Sequence, residues 1–402
     1  QCSKRLITSL VFRAAMPNAA RAAMTSNVEQ TDTNGAVRRR VVFYIPGYDP
    51  FPPRRYRELY RSEATAQAAL SDYTLALEPL EDKERFGWRV NAHMEAFETT
   101  SDIRVLVWSD IVRHSMSNSI TATYIQLFHT AWIYISSGAL WRLMRLRKGP
   151  VIAALYPIGA LSIQLLIAIF LSAMLFAGAA YLLVPMVGAA GHLISSTAAF
   201  VGLFAVLRFF KAQDGKLFAY YLMHDYAHSA GLKGAYPAEL EARLVEFRND
   251  IAAALTSDVD EVLVIGHSSG AHLGVSVLAD LKRLHDRATD RVELGFLTLG
   301  HVVPMLSFLP NANRLRRDLH FLSSRQDLTW VDVSAPGDGC SFALCDPVAV
   351  SGVAPSQKRW PLVFSAAFTQ TLSPARWKEL RWRFFRLHFQ YLCAFDRPGD
   401  YD

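Results

Sequence analysis

Charged side chains are scarce in this chain, and one long stretch has none. Asp, Glu, Lys and Arg make up 19% of the 402 residues, whereas about a quarter is usual for soluble domains. Cysteine is scarcer still, because four scattered cysteines are too few for a disulfide scaffold. The hydrophobic content of 51% excludes a mainly disordered chain. The net charge of +6 is modest and no nucleic-acid motif accompanies it, so we predict no nucleic-acid partner.

The stretch without Asp, Glu, Lys or Arg covers residues 149–207. One helix needs about 20 residues to cross a bilayer, so this length predicts two spans, at 151–183 and 187–207, with a turn near Pro185 and Gly188. Basic residues flank both ends and none lies in the turn: Arg142, Arg145, Arg147, Lys148, Arg208 and Lys211. The apolar length therefore predicts a lipid bilayer as partner. The positive-inside tendency of the basic flanks predicts that both ends of the hairpin lie in the cytoplasm. A buried helical hairpin in a soluble protein is the alternative.

Two further segments outside this stretch, 124–140 and 1–38, have compositions that carry predictions. Residues 124–140 are apolar and include Trp132 and Tyr134, so we expect them to lie in the membrane interface. Residues 1–28 contain four basic and no acidic side chains. We interpret residues 1–38 as a disordered basic tail.

Short β-branched runs alternate with helical stretches in the rest of the chain, which is typical of a parallel sheet covered by helices. The predicted strands are 40–45, 88–95, 103–108, 261–265, 292–299, 328–333 and 362–368. The predicted helices are 56–77, 239–255, 269–285 and 374–392. The fold class is therefore α/β. Because the apolar spans interrupt this alternation, we predict that 146–211 is a hairpin inserted between two parts of one α/β domain, 39–145 and 212–402.

A nucleophile motif, G-x-S-x-G, stands at Gly266-His267-Ser268-Ser269-Gly270. By itself the pattern is weak, but here a predicted strand precedes it and a predicted helix follows it. A strand–turn–helix is the setting in which such a serine is exposed at the end of a sheet. An ordinary glycine-rich turn is the alternative. The arrangement resembles the α/β-hydrolase superfamily, which implies an α/β-hydrolase-type sheet with Ser268 as its nucleophile.

The resemblance also implies an acid and then a histidine after the serine. Asp338, in the loop after the 328–333 strand, is the preferred acid, and Asp332 within that strand is the alternative. His388 is the only histidine after Asp338, and its His-x-x-Tyr context is similar to that of some lipase-like members. The backbone N–H groups of Tyr48 and Ser269 are the expected oxyanion hole. The family usually has His-Gly at this loop, whereas this chain has Pro46-Gly47.

These residues predict a membrane-anchored serine hydrolase that cleaves an acyl ester through an acyl-enzyme on Ser268 and uses no cofactor or metal. A catalytically inactive membrane scaffold of the same fold is one alternative, and an acyltransferase that uses the same residues is another. His224 and His228 have a spacing that suits a metal ion, but no third ligand lies near them in the sequence, so we interpret them as structural.

Overall fold

The computed structural model describes residues 37–80, 85–94, 97–116, 119–285 and 292–397. The predicted tail, 1–38, lies almost wholly outside these residues. The described chain divides into two compact units. The helical unit holds Arg113–Gly234 with Leu309–Asn311, and the sheet unit holds the rest. The helical unit is therefore wider than the predicted 146–211 insertion.

One eight-stranded sheet organises the sheet unit, in the order β2-β3-β4-β1-β5-β6-β7-β8. The strands are β1 (Arg39–Ile45), β2 (Thr74–Pro79), β3 (Gly87–Met94), β4 (Phe97–Val105), β5 (Glu261–His267), β6 (Glu293–Leu299), β7 (Thr329–Ser334) and β8 (Leu362–Ser365). β2, β3 and β4 pair antiparallel, and every other pair is parallel. β1 is paired on both edges and its last five residues are all buried, as a central parallel strand requires. The α/β class with a mostly parallel sheet is thus confirmed.

Sixteen α-helices occur in the described residues. They are α1 (Arg54–Ser71), α2 (Ser109–Ser115), α3 (Ile120–Ser136), α4 (Ala139–Leu146), α5 (Lys148–Val187), α6 (Ala189–Ala212), α7 (Asp214–Leu217), α8 (Ala219–Gly231), α9 (Ala238–Leu255), α10 (Gly270–Leu284), α11 (Val303–Ser307), α12 (Asn313–Ser323), α13 (Pro347–Val350), α14 (Phe368–Thr371), α15 (Pro374–Leu380) and α16 (Phe384–His388). A 3₁₀ turn, Phe389–Leu392, follows α16. The apolar positions of α9 that recur at helical spacing are all buried: Leu240, Leu244, Phe247, Ile251 and Ala254.

The helix predicted at 56–77 is wrong only in its last six residues. α1 ends at Ser71, and Asp72 takes a left-handed conformation with φ of 57° and donates its N–H to the Ala68 carbonyl. Residues 74–79 form β2 instead, which lies at the sheet edge and pairs with β3. Leucine, alanine and glutamate favour helix intrinsically, so the pairing with β3 overrides local preference here.

The single helix predicted at 374–392 is also wrong, because the chain breaks into α15, α16 and the 3₁₀ turn. The break falls at residues 381–383. Leu380 and Leu387 on either side of it are both buried in one apolar cluster with Phe368. In a straight helix seven residues advance about 700°, about 20° short of two turns, so these two leucines would share a face with or without the break.

The helical unit contains two helices long and apolar enough to cross a membrane, α5 and α6. They meet at Gly188, whereas Pro185, which we expected in the turn, lies inside α5. α5 is about 60 Å long at 1.5 Å per residue, twice the roughly 30 Å of a bilayer core. Only 11% of the most apolar window in each helix is buried, so neither resembles the core helix of a soluble protein.

Candidate active site

The predicted turn around Ser268 has the expected local structure. β5 ends at His267 and α10 begins at Gly270, with Ser268 between them at φ of 56°. A left-handed conformation costs a residue with a Cβ atom, and such strain clusters at functional sites. The Ser268 N–H donates to the carbonyl of Leu299, the last residue of β6, at 2.9 Å. The serine is thus held at the carboxyl ends of two central parallel strands.

The two motif glycines allow the helix to start directly against the sheet. A Cβ at Gly266 would lie 2.7 Å from the Cα of Ala271. A Cβ at Gly270 would overlap the carbonyl oxygens of Ile45 and Pro46 at the end of β1. Both contacts are with backbone atoms, which cannot move aside as a flexible side chain can. The sharpness of the turn therefore requires glycine at these positions.

Asp338 and His388 meet as a buried pair. A carboxylate oxygen of Asp338, Oδ2, accepts a hydrogen bond from His388 Nδ1 at 2.7 Å and from the Tyr391 hydroxyl at 3.0 Å. Its other oxygen, Oδ1, accepts from the Cys340 N–H at 2.9 Å. Burial raises the pKa of Asp338, but the His388 charge and the hydrogen bonds from His388, Cys340 and Ser341 outweigh it, so the pKa lies below its usual value.

The second ring nitrogen of His388, Nε2, does not take part in the contact with Asp338. Nδ1 faces Asp338, and Nε2 is buried with no hydrogen-bond partner in the described residues. The Ser268 hydroxyl is not bonded to it there, although such bonds are often long in unliganded enzymes. A histidine fixed through Nδ1, with Nε2 open, is suited to accept a proton.

His267 ties the histidine to the serine turn. Its Nε2–H donates to the main-chain carbonyl of His388 at 3.1 Å, and the two rings lie 4.9 Å apart. Burial, and then the nearby charge of His388, lowers the pKa of His267 to about 3, so its ring is neutral at ordinary pH. Because Ser268 directly follows His267, this contact brings the segments carrying Ser268 and His388 together.

The loop after β1 passes beside Ser268, as the oxyanion-hole prediction requires. A Cβ at Gly47 would lie 3.0 Å from the Ser268 Cβ and 3.4 Å from its Oγ. The loop is braced because Trp108 Nε1 donates to the Pro46 carbonyl at 3.0 Å and the Trp108 ring contacts Tyr48 edge-on. Tyr48 and Ser269 are both buried, and Ser269 stands immediately before α10.

The alternative acid, Asp332, belongs to a different polar cluster inside the sheet. Its Oδ1 accepts from the Thr298 hydroxyl at 2.5 Å, and its Oδ2 lies 3.8 Å from His301 Nε2. Burial raises the pKa of Asp332 above its usual value. The structure therefore brings Asp338, not Asp332, against His388.

Asp338, Cys340 and His388 also form a group whose ligand atoms lie within 4.8 Å of one another. Both oxygens of Asp338 already accept hydrogen bonds from N–H or O–H donors. These donors stabilise the Asp338 carboxylate and occupy the lone pairs that a metal cation would need. His224 and His228 belong to no such group in the described part of the chain. His224 instead contacts Gln126 Oε1 through Nδ1 at 3.0 Å.

Sequence reasoning missed the contacts of His267 and Tyr391. His267 occupies the variable position of the motif, so the pattern carries no expectation for it. Tyr391 follows His388 by three residues, a spacing that puts two side chains on one face of a helical turn. That spacing was a usable signal, and the hydroxyl reaches Asp338 beside His388.

No protein-family model matches this chain, and no match is found among curated proteins or solved structures. The functional argument therefore rests on the site geometry and the sequence motif.

Proposed function

We propose that this chain is a membrane-anchored serine hydrolase of the α/β-hydrolase type, which cleaves a carboxylic ester through an acyl-enzyme on Ser268. The observation that carries the proposal is the pairing of two features. Ser268 is strained at the turn between β5 and α10, and His388 is fixed to Asp338 with Nε2 open. His267 links the two segments.

The reaction follows from these roles. His388 Nε2 removes the hydroxyl proton of Ser268 as the serine oxygen attacks the ester carbonyl. Asp338 holds the imidazole through Nδ1 and stabilises its cation. The protonated His388 then gives its proton to the leaving alcohol, which leaves the acyl group on Ser268. Water, deprotonated by His388, attacks this acyl-enzyme and releases the acid.

Two backbone N–H groups stabilise the oxyanion of the tetrahedral intermediate, those of Tyr48 and Ser269. Gly47 beside the Ser268 side chain supports this role for the loop. Each such donor contributes roughly 3–4 kcal/mol in comparable enzymes.

The membrane part of the proposal rests on α5 and α6. Their length, apolar composition and low burial support a hairpin in the bilayer, and the basic flanks favour a cytoplasmic sheet unit. An ester with an apolar acyl chain is the favoured substrate because it partitions into the same bilayer. Protease added outside intact cells is then expected to leave the sheet unit uncut. Cleavage of the sheet unit by this protease would contradict its cytoplasmic orientation.

An active-site-directed fluorophosphonate probe tests the chemistry. The wild-type chain and the matched control Ser269→Ala, which keeps its backbone N–H, are expected to label. Ser268→Ala is expected not to label. Equal labelling of Ser268→Ala would exclude the proposed nucleophile, and a folded wild-type chain that does not label would favour the inactive scaffold.

A further inference from the structure

A basic and aromatic surface lies on residues 376–386, which include α15, the break and most of α16. We call it the 376–386 surface. It carries five basic side chains and a single acidic one, Glu379. The basic residues are Arg376, Lys378, Arg381, Arg383 and Arg386. Only part of this charge is neutralised: Arg383 and Arg386 share Glu379, and Arg376 pairs with Asp396.

Large aromatic rings are exposed among these cations. Trp382 is 72% exposed and Phe384 is 40% exposed. The two rings meet edge-on with centroids 6.5 Å apart, and the Arg381 guanidinium lies 5.7 Å from the Trp382 centroid. Leu380 and Leu387 are buried, whereas residues 381–383 of the break between them are exposed. An exposed tryptophan between arginines is typical of a segment that lies at a membrane surface.

This surface adjoins the loop that carries Asp338. A Cβ at Gly337 would lie 2.6 Å from the Trp377 ring, and one at Gly339 would lie 2.8 Å from the Phe384 ring. The aromatic side chains of the segment thus pack directly on the acid loop. Whatever binds the 376–386 surface lies within a few residues of the candidate site.

We propose that the 376–386 surface docks on an anionic phospholipid surface and brings the candidate site to lipid-embedded esters. The proposal rests on the proposed membrane anchoring, because helices crossing a bilayer hold the rest of the chain at high local concentration near that bilayer. The charge is complementary, since cytoplasmic leaflets are anionic and attract clustered lysine and arginine. Trp382 and Phe384 supply the apolar contact at the headgroup level.

Hydrogen–deuterium exchange of residues 376–386 tests the docking directly. The full chain is compared in nanodiscs of phosphatidylcholine alone and of phosphatidylcholine mixed with phosphatidylserine. We expect slower exchange on the mixed discs, and high salt should abolish the difference. Each lysine or arginine near an anionic surface strengthens binding to that surface about fivefold. The double variant Lys378→Gln, Arg381→Gln should therefore reduce the preference of residues 376–386 for the mixed discs over the phosphatidylcholine discs about 30-fold. Trp382→Ser should weaken protection as well.

The matched control is Arg317→Gln with Leu284→Ser, which removes an exposed arginine and an exposed apolar side chain elsewhere in the sheet unit. It should retain full protection. Equal exchange on both discs would overturn the proposal and leave the surface to an acidic protein. Protection on phosphatidylcholine that rises with protein concentration would overturn it in favour of a second copy of the chain.

Activity separates this proposal from the proposed function. The Lys378→Gln, Arg381→Gln variant should keep turnover of a short soluble ester and lose the stimulation by phosphatidylserine towards an ester embedded in the disc. Loss of both activities in equal proportion would count against a docking role. Ser268→Ala should remain protected in the exchange experiment, so docking can succeed where the proposed chemistry fails.

Discussion

Replacing Asp338 by Asn removes a charge while nearly keeping the volume of the side chain. The carboxylate now accepts from His388 Nδ1, the Tyr391 hydroxyl and the Cys340 N–H. The amide of Asn offers one oxygen and one NH₂ group, so it cannot accept all three bonds. An NH₂ facing His388 favours the tautomer that carries its proton on Nε2. That atom is then unable to take the proton from Ser268.

The expected loss of turnover is large. In Ser-His-Asp enzymes the same substitution lowers kcat by about 10⁴-fold, which corresponds to about 5 kcal/mol. KM should change little, because Asp338 acts through His388 and is buried away from substrate. The assay is turnover of a soluble ester together with the rate of fluorophosphonate labelling.

Asp332→Asn is the matched control, since both aspartates are fully buried. Asp332 contacts Thr298 and not His388, so its variant should keep near wild-type turnover. A loss in Asp332→Asn as large as in Asp338→Asn, or wild-type turnover in Asp338→Asn, would refute the assignment of the acid.

The two variants should also change the acid stability in opposite directions. The pKa of Asp338 is lowered in the folded chain, so its contribution is present above the ordinary aspartate pKa of about 3.9 and lost as pH falls through the folded pKa. The pKa of Asp332 is raised, so its contribution is present below about pH 3.9 and lost as pH rises through the folded pKa. Denaturant unfolding in detergent, measured from acid to neutral pH, should therefore show Asp332→Asn gaining on the wild type as pH rises and Asp338→Asn losing.

Two substitutions next to the pair have smaller expected effects. Tyr391→Phe removes the hydroxyl that donates to Asp338 and accepts from the Ala335 N–H; denaturant unfolding should show a loss of about 1–3 kcal/mol, and an unchanged midpoint would contradict the importance of these bonds. His267→Phe keeps an aromatic ring at this position but loses the N–H that donates to the His388 carbonyl. We expect kcat to fall about 10²-fold with KM little changed. A normal kcat would exclude a positioning role for His267.

The strands and the serine turn were predictable because their signals are local. The residues of β5 are alternately buried, and glycines that only a sharp turn needs follow at once. Six of the seven predicted strands differ from the observed ones by a few residues at most. The exception is the 103–108 prediction, because β4 starts at Phe97 and ends at Val105. The first half of β4 is rich in polar side chains, so it lacks the apolar pattern from which a strand is predicted. One of these side chains, Asp102, forms an ion pair with Arg89 on the neighbouring strand β3, with Nε and Oδ1 2.6 Å apart.

The partners of the site were less predictable because they depend on tertiary contacts. The family order pointed to Asp338 and left Asp332 open, and the choice depends on which carboxylate reaches His388. The broken C-terminal helix was missed for a related reason. The residues at the break, 381–383, include no glycine or proline, so the sequence carries no local signal for it.

The pairing of β1 with β5 also sets an order of events during synthesis. Arg40 pairs in register with Glu261, 221 residues later. A ribosome that adds about 5–20 residues per second takes roughly 10–45 seconds to make that interval. One edge of β1 has no partner strand throughout, and unpaired edges associate readily with other chains. Both apolar helices leave the ribosome within the same interval. A nascent chain that stalls before Glu261 therefore holds half of the sheet and both apolar helices, but not the proposed nucleophile, acid or base.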